Sequence, residues 1–423
     1  MKRIYKNCIL LDGTKDMEAI KTDVVVENGI ITEISENYQG EGEVLDLNGK
    51  YLMPGLINLH VHLPAGGKPE KKIKDKSGLV KFLTSNPITR KIGVKICADF
   101  AKTELLSGVT TIRTVGGIAD FDTILRDKIN SGKILGPRIL ASNMAIGPVN
   151  GHMVGTVTVA CSTFEECEQM IDKLKAEGVD WIKIMITGGV LDAKVKGEPG
   201  IVKMGASFIK CCTEKAHSLG LKVCAHVESF DGVKLALQNG VDSIEHGSAL
   251  DEEMIDIFKK RNDCYVCTIS PALPLAKFDP SITGATEMVV YNSNIVLEGV
   301  IDGAKTALEN GITVGMGTDT GCPYITHYNM WRELHYFSKY LGVSKKFALH
   351  TATLVNASIL GLEKEIGSVE VGKCADLLIT DANPLDDFRT LAQPYMVVAK
   401  GHEIIQPKIK KFAECDDNLD KYM

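Results

Sequence analysis

Eight short apolar runs, most of them followed by a helical pattern, organise the middle of this chain. They lie at 56–60, 109–114, 138–142, 181–186, 221–225, 243–245, 265–269 and 313–317. The helical patterns between them carry their own start and stop signals. Segment 163–177 opens with Thr163-x-x-Glu166, a capping-box pattern, and closes at Gly178. Segment 206–219 ends at Gly220, 232–238 at Gly240, and 288–309 just before Gly311. Such alternation predicts an α/β fold with a parallel sheet and helices packed outside it. Eight strand–helix units over about 300 residues predict a (β/α)8 TIM barrel. A doubly wound open sheet is the alternative. The eighth run, and the lack of a Gly-rich phosphate turn after the first, count against it. Segment 63–90 reads as a long insertion after the first strand, a lid or rim loop.

The ends of the chain have a different texture. Short alternating or apolar runs at 2–11, 23–27, 30–34 and 51–52 are separated by Asp12-Gly13, Asn28-Gly29 and Asn48-Gly49. Similar runs return at 367–371, 375–380 and 395–400. The two ends are expected to pair into one small composite β-domain, 1–54 plus 362–423, around a barrel domain at 55–361. A chain of 423 residues suits one large domain and one small one.

Composition excludes several classes. With 44% hydrophobic and 24% charged residues the chain is globular rather than disordered. A net charge of −6 and no basic cluster argue against nucleic-acid binding. The run 68–76 mixes acids with lysines and reads as a solvated loop. No stretch approaches about 18 unbroken apolar residues, so no membrane span is expected. The apolar run 8–11 stops at Asp12, too short for a signal-peptide core. The 12 cysteines, spread through apolar segments, are then expected to be reduced thiols of a cytoplasmic protein. Cys264-Tyr265-Val266-Cys267 lacks two further ligands nearby and reads as buried strand.

Barrel active sites sit at the C-terminal ends of the strands. His60 and His62 end the first run; residues i and i+2 on a strand point to one side, so both imidazoles can reach one metal. His226 ends the fifth, His246 the sixth and Asp319 the eighth. A lone strand histidine is usually a hydrogen-bonded core residue. Four of the chain's 10 histidines at strand ends, with a strand-end carboxylate, instead suit Zn²⁺, although N/O sites of this kind also take Mn²⁺, Co²⁺ or Ni²⁺. Lys183 lies on the fourth strand, where a charged amine facing the interior is costly. A neutral lysine amine can instead add CO₂ to form a carbamate, an anionic oxygen ligand able to bridge two metals.

The strings Pro54-Gly55-Leu56-Ile57-Asn58-Leu59-His60-Val61-His62, Trp181-Ile182-Lys183, Ala225-His226, Ser243-Ile244-Glu245-His246-Gly247, Gly317-Thr318-Asp319 and Gly367-Ser368-Val369-Glu370-Val371-Gly372-Lys373-Cys374-Ala375-Asp376 resemble the amidohydrolase superfamily. Within it they resemble the imidazolonepropionase-like group that includes zinc-dependent Xaa-Pro dipeptidases and arginine or lysine carboxypeptidases. The resemblance runs from about residue 20 to 405. It implies a distorted (β/α)8 barrel with a β-sandwich built from both termini. It implies that His60, His62 and Asp319 bind one zinc, that His226 and His246 bind a second, and that carboxylated Lys183 bridges them. Asp319 is implied as the acid/base that serves a zinc-activated hydroxide attacking the amide bond of a small-molecule substrate, a dipeptide or N-acyl amino acid.

His152, after the third strand, falls where similar peptidases place a substrate-binding histidine. His327 and Glu333 align with family positions, and Tyr324, Tyr328 and Arg332 share their rim. There are departures from the pattern. Thr114 follows Arg113 where many relatives carry Asp. His226 is followed by Val227-Glu228-Ser229, and Glu228 resembles the His-x-Glu of imidazolone hydrolases and related deaminases. A mononuclear cyclic-amide hydrolase or aminoheterocycle deaminase, with Glu228 shuttling protons beside the substrate and Lys183 unmodified, is therefore the rival chemistry. A non-catalytic scaffold would be expected to have lost ligands, a nucleotide binder lacks its Gly-rich loop, and a redox enzyme would need an exposed low-pKa thiol. Large barrels often assemble, so a homo-oligomer is an open expectation.

Overall fold

The computed structural model describes residues 2–71 and 75–423. The N-terminal strands are β1 (Lys2–Leu10), β2 (Ile20–Glu27), β3 (Ile30–Ser35), β4 (Glu43–Asp46) and β5 (Tyr51–Pro54). The central strands are β6 (Leu56–Val61), β7 (Val109–Thr114), β8 (Arg138–Leu140), β9 (Ala145–Gly147), β10 (Thr158–Ala160), β11 (Trp181–Met185), β12 (Lys222–Val227), β13 (Ser243–His246), β14 (Cys264–Cys267) and β15 (Thr313–Met316). The C-terminal strands are β16 (Leu377–Thr380), β17 (Met396–Ala399) and β18 (His402–Ile405).

Among the described residues, the two ends of the chain share one eight-stranded sheet. Its order is β18-β17-β16-β5-β1-β2-β3, with β4 also paired to β1. The joint between the ends is antiparallel, with Leu377 opposite Pro54 and Thr380 opposite Tyr51. One face of this sheet carries its own apolar cluster of Tyr5, Cys8, Val24, Leu52, Ile379 and Val398. Two differences from the sequence reading appear here. Segment 367–371 is not a strand, although Val369 still donates its amide to Asp12. Strand β4 has exposed or half-exposed residues throughout and therefore no alternation to betray it.

The central strands are all parallel and lie in two sheets, β6-β7-β8 and β10-β9-β11-β12-β13-β14-β15. β6 and β11 are buried along their whole length, as expected for strands covered on both faces. The sheets approach each other on one side, where Val61 bridges Thr320, His62 donates its amide to Thr320 O at 3.0 Å, and Asp319 donates its own to His60 O at 2.9 Å. On the other side Asp180 N reaches Ala141 O at 2.8 Å.

The intervening helices follow the sequence signals closely. Helix Phe164–Ala176 is capped by Thr163, whose hydroxyl accepts from Glu166 N. The reciprocal half of the expected capping box is displaced by one residue, because Glu166 accepts from Ser162 N instead. Helices Ala206–Ser218, Phe230–Gln238 and Glu287–Glu309 occupy the remaining predicted segments. Segment 63–90 departs from its reading as a loop: helix Ser77–Thr84 lies within it, and helix Pro87–Leu106 begins there. The second of these starts at Asn86, whose side chain accepts from Ile88 N and Thr89 N, followed by Pro87 at the first helical position. The solvated-loop reading of 68–76 falls partly on 72–74, outside the described residues; Lys76 pairs with Glu70 at 2.9 Å. Cys264 and Cys267 are buried in β14, and all 12 cysteines are free thiols. Among the described residues no helix is long and apolar enough to cross a membrane.

Candidate metal centre

The C-terminal ends of the parallel strands bring five imidazoles into one continuous run. His62 meets His60 with ring centroids 5.3 Å apart, and His60 meets His246 at 4.7 Å. His246 meets His226 at 4.7 Å, and His226 stacks on His152 at 4.4 Å with the planes 6° apart. Asp319 closes the first end: its Oδ1 lies 3.1 Å from His62 Nε2 and 3.5 Å from His60 Nε2. Strand pairing explains the convergence. Lys183 is in register with Cys224, Met185 with His226, and Val227 with His246, so neighbouring strands end at one level.

Two of these residues leave the strand in an unusual way. His246 and Asp319 have φ of 66° and 56°, the left-handed region that a side chain with a Cβ rarely adopts. Such conformations cost on the order of 1 kcal/mol each and persist where the surroundings demand them. Here they turn each side chain off the end of its strand. Gly317 serves the same corner: a Cβ there would lie 2.6 Å from the backbone N of His60.

Hydrogen bonding fixes which nitrogen of each ring is available. His60 Nδ1 donates to Glu245 Oε2 at 2.8 Å and His62 Nδ1 donates to Gly116 O at 2.8 Å, leaving both Nε2 atoms facing Asp319. His246 Nδ1 pairs with Thr268 Oγ1 at 2.7 Å. His226 Nε2 is buried with no partner among the described residues. Burial, reinforced by Lys183, lowers the His60 pKa to about 4, and burial first of all holds those of His226 and His246 well down. The His60, His226 and His246 rings are therefore neutral and can ligate. Burial pushes the Asp319 carboxyl upward, but His60, His62 and His246 outweigh it and hold the group ionised.

The ligand atoms of His60, His62 and Asp319 lie within 4.8 Å of one another, and so do those of His226, Glu228 and His246. Lys183 is fully buried in β11, and its Nζ has no hydrogen-bond partner among the described residues. Burial pulls its amine toward the neutral form. The donor set therefore fits divalent metal: imidazoles of which three, His60, His62 and His246, commit Nδ1 elsewhere, an ionised carboxylate, and an orphaned amine in the same interior.

The sequence overlooked the pair that supports His60. Glu245 is fully buried and accepts from Arg113 Nη2 at 2.6 Å and Ser243 Oγ at 2.6 Å, besides His60. Arg113 is itself fully buried, donates its Nε to Leu59 O at 2.8 Å, and lies 4.7 Å over the Trp181 ring. Two opposite charges on interior strands were the available signal.

The other expected residues separate. His152 is in the ring run. Glu228 is near the second cluster; its Oε2 accepts from Val190 N at 3.0 Å, and burial followed by the Asp319 charge raises its pKa to about 8. His327 stacks on Phe100 instead of joining the imidazole run, and both its nitrogens are occupied: Nδ1 lies 2.9 Å from Glu104 Oε1 and Nε2 2.8 Å from Ala65 O. Glu333 accepts from the amides of Ile269 and Ser270. Tyr328 and Arg332 are occupied by the C-terminal segment: Tyr328 Oη accepts from Phe412 N at 2.7 Å, and Arg332 pairs with Asp416 at 3.2 Å and Asp420 at 2.6 Å. Tyr324 donates to Ile282 O at 2.9 Å.

The chain's likeness to known proteins agrees with this geometry. A model described as the Amidohydrolase family matches residues 51–404. The crystal structure of a candidate prolidase from Bifidobacterium longum is 37% identical, covers 100% of this chain and 99% of its own, and superimposes with a TM-score of 0.87. The structure of a Xaa-Pro dipeptidase with methionine bound in its active site is 27% identical, covers 96% and 100% of the two chains, and gives a TM-score of 0.82. An imidazolonepropionase from Fusobacterium nucleatum subsp. nucleatum is 25% identical over 409 residues, 88% of this chain and 89% of its own length.

Proposed function

This chain belongs to the amidohydrolase family and is an enzyme acting on carbon–nitrogen bonds; from that premise we propose that it cleaves the amide bond of a dipeptide or N-acyl amino acid with water activated by two zinc ions. His60, His62 and Asp319 would hold one ion, His226 and His246 the other, and Lys183, as its carbamate, would bridge them. The observation that carries this reading is the Lys183 amine, fully buried and without a hydrogen-bond partner among the described residues, in the interior that holds the imidazole run. An ammonium left in that state is costly, whereas a neutral amine is the form that adds CO₂. The fold that would serve it is a closed (β/α)8 barrel at 55–361, with a sandwich of 1–54 and 362–423 beside it. The approach of β6 to the segment after β15 supports closure.

When bound, the ions supply Lewis acidity at the scissile carbonyl and make a water acidic enough to be deprotonated near neutral pH. The protein's own residues do the rest. Glu245, Gly116 and Thr268 hold the rings so that the ligating nitrogens point inward. Asp319 turns Oδ1 to the histidines, while its Oδ2 has one weak partner, the Cys322 thiol at 3.7 Å. That oxygen takes the proton of the attacking water and returns it to the leaving nitrogen.

A second reading is favoured by one observation: Glu228 shares a ligand-sized cluster with His226 and His246, and its raised pKa suits a proton shuttle near neutral pH. It would make the enzyme a mononuclear cyclic-amide hydrolase or aminoheterocycle deaminase. Wild type, Lys183→Ala and Glu228→Gln, assayed on dipeptides, N-acyl amino acids, cyclic amides and aminoheterocycles, separate the two. The binuclear reading expects dipeptide or N-acyl hydrolysis that Lys183→Ala abolishes. Turnover of a ring substrate that survives Lys183→Ala and is lost in Glu228→Gln would replace it.

A further inference from the structure

His152 lies flat on His226, yet the stacking contact alone leaves it free to rotate in its own plane. What stops that rotation is a second segment. Asp192, at the end of the 3₁₀ turn Val190–Asp192, takes the Nδ1 proton of His152 on Oδ2 at 2.5 Å. The same oxygen accepts from Gly189 N at 2.9 Å, so the carboxylate is itself held by the turn it belongs to. Gly189 makes the approach feasible: a Cβ there would lie 2.8 Å from His152 Cε1. The turn is anchored to the metal-centre wall from the other side, where Val190 N donates to Glu228 Oε2. His152 is also about one-fifth exposed at its side chain, unlike His60, which is buried. Its Nδ1 is committed to Asp192, and no protein group among the described residues takes its Nε2.

We propose that Asp192 is a positioning residue for catalysis, holding His152 in the Nδ1–H orientation so that its Nε2 faces the group under attack. The inference rests on the hydrolase reading above. Because His152 lies one ring stack from His226, its Nε2, which accepts in this tautomer, is placed to take a hydrogen bond from an N–H or O–H at the scissile group rather than at a remote end of the substrate. Asp192 acts through His152 and touches no substrate atom. Loss of the carboxylate lets the ring swing without emptying the ligand set, and misplacement of a polar group by an ångström costs on the order of a hundredfold in rate. The effect belongs in kcat more than in KM.

The test is a double-mutant cycle of Asp192→Ala and His152→Ala, with Asp192→Asn as the conservative variant, on the dipeptide or N-acyl amino acid the wild type turns over best. Expected are a ten- to hundredfold fall in kcat for Asp192→Ala, KM within about threefold, unchanged metal content, partial rescue by Asn, and a double variant no slower than His152→Ala. Additive losses, a wild-type rate for Asp192→Ala, or loss of metal would overturn the assignment. Nitrogen-15 NMR of the histidine rings gives a readout independent of turnover. The wild type should show His152 protonated at Nδ1, and Asp192→Ala should show exchange between tautomers; a ring unchanged by the substitution overturns the proposal even if no substrate is found. An inactive wild type with the expected NMR response would count against the hydrolase reading and leave the positioning role standing.

Discussion

Replacing Glu245 by Gln removes one charge from the interior while keeping the side chain's shape, and two separate losses follow. The first is stability. Arg113 is fully buried, and its carboxylate partner at 2.6 Å is its only counter-ion among the described residues. Breaking a buried pair from one side costs about 3–5 kcal/mol, because the remaining charge is left uncompensated. Burial drives the Glu245 carboxyl upward, but Arg113 and then His60 reverse the effect and keep it ionised, so the pair is charged at any ordinary pH. The second loss is metal affinity. The His60 imidazole keeps its ligating Nε2 aimed at Asp319 because Nδ1 donates to Glu245 at 2.8 Å, and loss of such a supporting carboxylate weakens binding about 10- to 100-fold. Urea unfolding of metal-free protein measures the first; competition with a chelator measures the second. Only the ion proposed for His60, His62 and Asp319 should weaken, so Glu245→Gln should titrate in two phases. Arg113→Met together with Glu245→Gln should recover part of the stability but not the affinity. A stability change below about 1 kcal/mol, with unaltered chelator competition, would refute the reasoning.

Gly317→Ala forces a methyl group to within 2.6 Å of the His60 backbone, so metal-free protein should lose about 1–3 kcal/mol, read by thermal unfolding. Burial raises the Asp263 carboxyl to about 7, above the value near 4 of an unfolded chain. The folded state therefore keeps a proton that the unfolded state has released, and stability falls as pH rises between those two values. Asp263→Asn removes that fall; it should match wild type near pH 4 and exceed it by about 2–4 kcal/mol at pH 8 in paired denaturation curves. Arg332→Ala cuts the ion pairs to Asp416 and Asp420 that tie down helix Ala413–Leu419, and limited proteolysis should then cleave within 406–423 before any other segment.

What the sequence revealed was local or periodic. Eight of the ten parallel strands could be read as apolar runs, whereas β9 and β10, three residues each, are too short to show one; Thr163, Gly178 and Gly220 marked helix ends through their own backbone needs. His60 and His62 declared themselves by strand spacing, and His226, His246 and Asp319 by position at strand ends. The features overlooked depend on residues far apart in the chain. Glu245 reaches Arg113 across 132 positions, and Asp192 meets His152 across 40. Neither has a spacing that a periodic reading can detect. The contact of His327 with Glu104, from helix Pro87–Leu106, is likewise long-range and has no spacing in the sequence. The loop reading of 63–90 overlaps only the first turn of that helix, where Asn86-Pro87 carries a usable start signal.

The central claim is a two-metal centre bridged through Lys183, and metal content tests it most directly. Protein purified without chelator in bicarbonate-containing buffer should hold about two zinc equivalents per chain by elemental analysis, falling in Lys183→Ala. One equivalent per chain, unchanged by Lys183→Ala, would contradict the bridge and leave the Glu228 chemistry in its place.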